Sequence, residues 1–175
     1  MVNFIDIRTA AESEDDYDWT ITCRSRIVGA AAPARASFSE FRSFNADERD
    51  ERYSTPQGMY YPHCGLEKVW MTWTGPEYMY HMLKHNNALI PEEGLAMLRY
   101  FSLGDWHEHK EYAHLTNDDD ADFQAFVTDF DQMRRDERRK CNNITDLSDE
   151  KCNSLWEAYY GSVVAKYCGG DKLMW

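Results

Sequence analysis

Basic residues are scarce in this chain. Of 175 residues, 19 are Lys or Arg against 31 Asp or Glu, which gives a formal net charge of −12 at pH 7. Nucleic acid and anionic membrane both demand a basic face, so neither is an expected partner. Long apolar runs are missing too. None approaches the ~20 residues needed to span a bilayer. The first residues, MVNFIDIRTAAESEDDYD, turn acidic after Arg8. They lack the basic start and apolar core of a secretory signal, and the acid-poor character of a transit peptide. Paired cysteines are absent as well. The five are Cys23, Cys64, Cys141, Cys152 and Cys168, with no CxxC among them. An odd count at such spacing fits neither a zinc site nor a disulfide framework. Free thiols in a reducing intracellular compartment are expected, in the cytoplasm or in a subunit of an organellar complex.

What is present argues for a folded core. Hydrophobic residues make up 43% and aromatics 14%, too much for a disordered chain, and the length suits one domain. Residues 1–50 read as a partly irregular N-terminal arm. Phe4-Ile5-Asp6-Ile7 is a candidate apolar anchor, Glu12 to Asp18 a solvated acidic run. Ala30 to Ala34 forms a small-residue linker in which Pro33 argues against a crossing helix. Phe38, Phe41 and Phe44 stand at three-residue spacing, as on a short helix or a partner-binding strip.

Residues 51–175 read as one helical domain, with helical periodicity taking over from Leu66. Leu66, Val69, Trp70 and Trp73 share one helical face. Thr74-Gly75-Pro76-Glu77 reads as a helix start, with Thr74 as N-cap and Glu77 closing a capping box. Tyr78, Met82 and His85 follow on one face. Pro91 opens another helix with Leu95 and Leu98 inward. Asn117 caps a third, acidic at its start and basic at its end, as the helix macrodipole favours. Phe123, Phe126, Val127, Phe130 and Met133 form its apolar stripe. A last helix runs from about Ser148 to Tyr167 and stops at Gly169. No strand alternation is convincing, so the fold class expected is all-α.

Certain words between Arg52 and His107 are too specific for generic helices. They read RYSTPQGMYYPHCGL, then MTWTGPEYMY, then LRYFSLGDWH; the chain closes on Lys166-Tyr167-Cys168 and, further on, Trp175. This pattern resembles the myo-inositol oxygenase family, whose words run close to RYST-x-x-GMY-x-PHCGL, MSWGHDEY, RFHSFYPWH and KYCPG-x-LSW. The resemblance covers about the last two thirds of the chain. It implies a helical HD-domain fold, here shortened, and a family chemistry in which two irons, held by four His and two Asp, cleave the inositol ring to glucuronate.

The resemblance also implies a loss. At the family's His in WGHDEY this chain has Gly75, and at the His in RFHSF it has Phe101. Neither side chain offers a lone pair to iron. Between Trp19 and Ile27 only seven residues, Thr20 to Arg26, stand where the family carries its His-Asp motif. No cofactor is therefore expected, and no catalytic or metal-ligating residue. Remnant substrate-pocket candidates remain. Ser102 matches a family Ser that touches inositol, and Gly29 a backbone contact. Asp136 and Lys140 keep the separation of an Asp ligand and a substrate Lys in FDLYTKC if two residues are inserted upstream. Without that gap Arg134 and Arg138 take those places.

The histidines give little chemistry. His63 and His107 match family residues outside the iron shell. His81 and His85 lie four apart on a helix, without a third ligand nearby in sequence. His109 and His114 read as surface residues. Trp73 and Trp106 flank the lost ligands and are expected to fill the vacated space. The reading favoured is a catalytically inactive family member serving as a structural or accessory subunit. Its partners would be other protein subunits with a partly basic contact surface. A polyol- or inositol-phosphate-binding module and a retained oxygenase with relocated ligands are the alternatives.

Overall fold

The protein is described from a computed structural model, which defines residues 25–33, 43, 44, 46–141, 148–169, 173 and 174. Phe4, Ile5, Ile7, Phe38 and Phe41 lie outside these residues, and Phe44 is exposed. The fold is helical. In chain order it has 3-10 turns at Ala46–Arg49 and Leu66–Lys68, then α1 (Gly75–His85), α2 (Glu92–Tyr100), the short α3 (Gly104–His107) and α4 (Asp118–Cys141). The C-terminal stretch holds α5 (Asp149–Leu155), a π-helical turn Trp156–Tyr160 and α6 (Gly161–Cys168). Among the described residues no strand forms, and the one β-bridge pairs Ile27 with Met71 antiparallel.

Local chemistry explains several boundaries. Asn117 Oδ1 accepts from the Asp120 backbone N–H at 3.0 Å, and Asp120 Oδ2 accepts from the Asn117 N–H at 3.0 Å. This reciprocal box starts α4. Asp120 Oδ2 also takes the Leu66 N–H at 2.9 Å, which ties α4 to the 3-10 turn. Gly169 ends α6 with φ +70°, a left-handed stop where glycine is favoured. The α1 start falls at Thr74–Gly75 as expected, but neither capping side chain does what its place suggests. Thr74 Oγ1 bonds Ser25 Oγ at 3.1 Å, and Glu77 turns inward to Arg99.

The helix expected across 66–73 does not form. After the 3-10 turn the chain runs extended, with Val28 N–H donating to Trp70 O and Thr72 N–H to Arg26 O. Leu66 and Val69 are buried, yet Trp70 and Trp73 are 68% and 69% exposed. Trp70 points outward between the buried Val69 and Met71, as in an extended segment, and that overrides the i, i+3 reading. Trp73 therefore fills no vacated space; it stacks on His81 at 5.8 Å. Trp106, at 2% exposure, is buried as expected and meets Tyr100 edge-on at 5.7 Å.

The core has two parts. One gathers Ile27, Leu66, Met71, Leu103, Leu115 and Val127 with their neighbours. The other sets Tyr80, Met82 and Leu83 of α1 against Leu95 of α2. Between them lies an ion pair. Arg99 Nε donates to Glu77 Oε2 at 2.7 Å and Arg99 Nη2 to Glu77 Oε1 at 2.9 Å, with both residues 3% exposed. Tyr80 and Tyr100 cover the guanidinium. On the C-terminal stretch, no residue of α5, the π turn or α6 is buried.

Candidate functional site

The position matched to an iron-binding His, Phe101, caps the C-terminal end of α2 and is half-buried. Its ring meets Phe130 of α4 edge-on at 5.8 Å. Arg134, one turn along α4, sets its guanidinium carbon 4.7 Å from the Phe101 ring centroid. Arg134 is thus the α4 cation that meets Phe101. Gly75, the other position matched to a family His, opens α1 at the surface. A Cβ placed there would meet no atom within 4 Å.

The four pocket candidates are placed unequally. Ser102 is buried, and its hydroxyl is committed to Ser25 Oγ at 2.6 Å; the Ser25 N–H donates to Ser102 O at 3.0 Å. Gly29 sits in the turn just beyond, at φ +78°, with its carbonyl accepting from Met59 N–H at 2.9 Å. Its left-handed φ favours glycine, and a Cβ there would also push the flexible Met59 side chain aside, with Sδ at 2.3 Å. Asp136 is half-exposed on α4, and the side chain of Lys140 falls outside the description.

Donor atoms converge elsewhere. His107, Glu108 and Asp131 each offer a ligand atom, and these lie within 4.8 Å of one another. His107 ends α3, Glu108 follows it, and Asp131 sits on the inner face of α4, one turn after the fully buried Val127. His107 Nε2 is 3.0 Å from Phe101 O. A carbonyl only accepts, so Nε2 carries the proton. Nδ1 is left buried with no hydrogen-bond partner. Arginines close the carboxylate side. Arg135 Nη2 lies 2.8 Å from Glu108 Oε1 and 3.2 Å from Asp131 Oδ2, and Arg134 Nη2 lies 2.8 Å from Asp131 Oδ1. One imidazole and two carboxylates suit a single divalent ion of the Mn–Fe–Zn kind, and the orphan Nδ1 is the donor such an ion would use.

Three of the other five histidines have hydrogen-bond partners. His63 Nδ1 pairs with Thr116 O at 2.9 Å and His114 Nε2 with Pro56 O at 2.9 Å. His81 Nε2 approaches Glu77 Oε1 at 2.9 Å, but that carboxylate already belongs to Arg99.

Comparison with known proteins agrees with the sequence words. The pattern of the family described as Myo-inositol oxygenase matches residues 9–175. The inositol oxygenase of Mus musculus is 36% identical over 159 residues, covering 90% of this chain and 52% of that protein. The inositol oxygenase of Danio rerio is 35% identical over 156 residues, 85% of this chain and 53% of its own length. That of Dictyostelium discoideum is 35% identical over 130 residues, 74% and 42%. The chain thus spans about half the length of the relatives it matches. These similarities correct one expectation. The expectation of no cofactor rested on Gly75, Phe101 and the short Thr20 to Arg26 interval, whereas the relatives are inositol oxygenases and this chain gathers metal-capable donors at His107, Glu108 and Asp131.

Proposed function

Because the chain belongs to the myo-inositol oxygenase family, we propose that it is a member that no longer cleaves the inositol ring and serves as an accessory or structural subunit. One observation carries this reading. Phe101 stands at a ligand position, and the group packed on its ring is the cation of Arg134. In the family's chemistry paired irons supply O2 activation and diol binding. Neither a phenyl ring nor a guanidinium offers iron a lone pair, so these two side chains cannot replace a histidine or carboxylate ligand. The donors at His107, Glu108 and Asp131 stand off the family's ligand positions and suit one ion rather than two.

The surface supports a partner. Trp156, Tyr159 and Tyr160 are exposed on the C-terminal helical stretch, as are Trp70 and Trp73. Exposed aromatic area on this scale marks an interaction site more often than a bare face. A groove of about 430 Å³ beside α2 and the start of α4 is lined by Glu67, Glu92, Glu93, Asp119 and Asp122, with Phe126 at its side. With the chain at −12, a partner whose contact surface is partly basic is favoured. Among the described residues no helix is long and apolar enough to cross a membrane. Sedimentation velocity on the isolated chain tests the subunit reading. Self-association or ANS binding, relieved by co-expression with a protein partner, is expected. A stable, cooperatively melting monomer that binds no ANS would overturn it.

A further inference from the structure

We propose that His107, Glu108 and Asp131 form a binding site for one first-row divalent cation, with Arg135 as the guanidinium the ion displaces. The carboxylates alone would not carry this, since acidic residues cluster often and here have arginine partners. The imidazole is what points to a ligand. His107 is 5% exposed, its Nε2–H is spent on Phe101 O, and its Nδ1 makes no hydrogen bond. A buried polar atom without a partner is uncommon, because burial removes the water that would have satisfied it. A metal ion accepts a lone pair, and Nδ1 holds one that nothing else uses.

The spacing is close to that of a bound site. The donor atoms lie within 4.8 Å of one another, whereas ligands bonded at about 2.1 Å stand roughly 3–4 Å apart. Small side-chain rotations close that difference, because Glu108 faces solvent. His109 Nε2, 4.0 Å from Glu108 Oε2, stands at the rim as a second imidazole. Arg135 Nη2 now bridges Glu108 and Asp131, so it holds the cationic place that a metal would take. Its side chain is 30% exposed, so it has solvent to swing into. Arg134 remains on Asp131 Oδ1, which keeps that carboxylate aimed inward. The mixed N/O donor set favours Mn2+, Fe2+ or Zn2+ over Mg2+ or Ca2+, which avoid imidazole.

The full chain, freed of metal by chelation, is titrated calorimetrically with ZnCl2 and with MnCl2, and bound Mn2+ is counted by electron paramagnetic resonance. One equivalent per chain is expected. Glu108→Gln and Asp131→Asn should each weaken binding at least about tenfold, since each removes a direct ligand. Arg135→Gln should tighten it about tenfold, because the competing cation is gone. Thermal melts confirm that the variants fold, and Glu108→Gln, at the solvent side, is the safe one. Binding unchanged in Glu108→Gln, or lost in His81→Gln instead, would overturn the site. So would the absence of binding in both the wild-type chain and Arg135→Gln, or a preference for Ca2+ over Zn2+.

Discussion

Arg134 lays its guanidinium on the ring of Phe101, 4.7 Å from carbon to centroid, across the gap between α4 and the end of α2. The two residues explain each other. An aromatic face attracts a cation, and the cation is held in place by Asp131 Oδ1 at 2.8 Å. A double-mutant cycle of Phe101→Ala and Arg134→Ala should therefore give a coupling energy of about 0.5–2 kcal/mol in urea melts. Arg134→Lys should recover less than half of it, because an ammonium cannot stack as the planar guanidinium does. Additive single effects would show that the two side chains are mere neighbours.

Two tryptophans should behave oppositely. Trp106→Ala removes a side chain buried to 2% exposure and packed on Tyr100, and should cost about 3–5 kcal/mol. Trp73→Ala removes one that is 69% exposed, and should cost less than about 1 kcal/mol. Denaturant midpoints at constant slope would establish both. Equal losses would contradict the extended path of the chain before α1.

The Glu77–Arg99 pair should shape the acid limb of stability. Burial by itself would raise the Glu77 pKa, but hydrogen bonds and charge from Arg99, with a smaller part from His81, hold it below the ordinary 4.5. Its stabilising contribution is therefore fully present above pH 4.5 and is lost as pH falls through the depressed folded value. Asp120 has the opposite sign, since burial raises its pKa; its ionised form costs stability, and protonation on acidification relieves that cost. Glu77→Gln should lower stability at pH 7 by about 3–5 kcal/mol, because Arg99 is left buried without a counter-ion. It should also flatten the fall in stability below pH 4.5. A variant with an unchanged acid limb would show that the pair does not govern it.

Gly58 should tolerate no side chain. It sits at φ +57°, and a Cβ there would stand 1.8 Å from the Gly29 carbonyl oxygen. Gly58→Ala adds left-handed strain of about 1 kcal/mol to that collision, so a loss of at least about 2 kcal/mol is expected in thermal melts. A neutral substitution would mean that the turns around Gly29 and Gly58 do not touch.

Local signals in the sequence carried the helices well. Asn117 announces α4, Pro91 announces α2, and Gly169 ends α6, because each acts through its own backbone. Long-range partners stayed hidden. Glu77 stands where a capping-box acid belongs, and only the approach of Arg99 from α2 turns it inward. Leu66 and Val69 have helical spacing, yet pairing of Met71 with Ile27 draws the chain out straight. The same limit hid the donor cluster. His107 and Glu108 are adjacent, but Asp131 meets them only after α4 folds back. One clue was available. Asp131 falls one turn after Val127 on the apolar side of α4, and a carboxylate on a buried face needs a cation or a proton.

The most direct test of the proposed loss of ring cleavage is inositol-dependent oxygen uptake by the full chain after anaerobic reconstitution with Fe2+. On that proposal no uptake above the iron-only background is predicted, and no glucuronate. Oxygen consumed in step with inositol, with glucuronate formed mole for mole over many turnovers, would contradict the account.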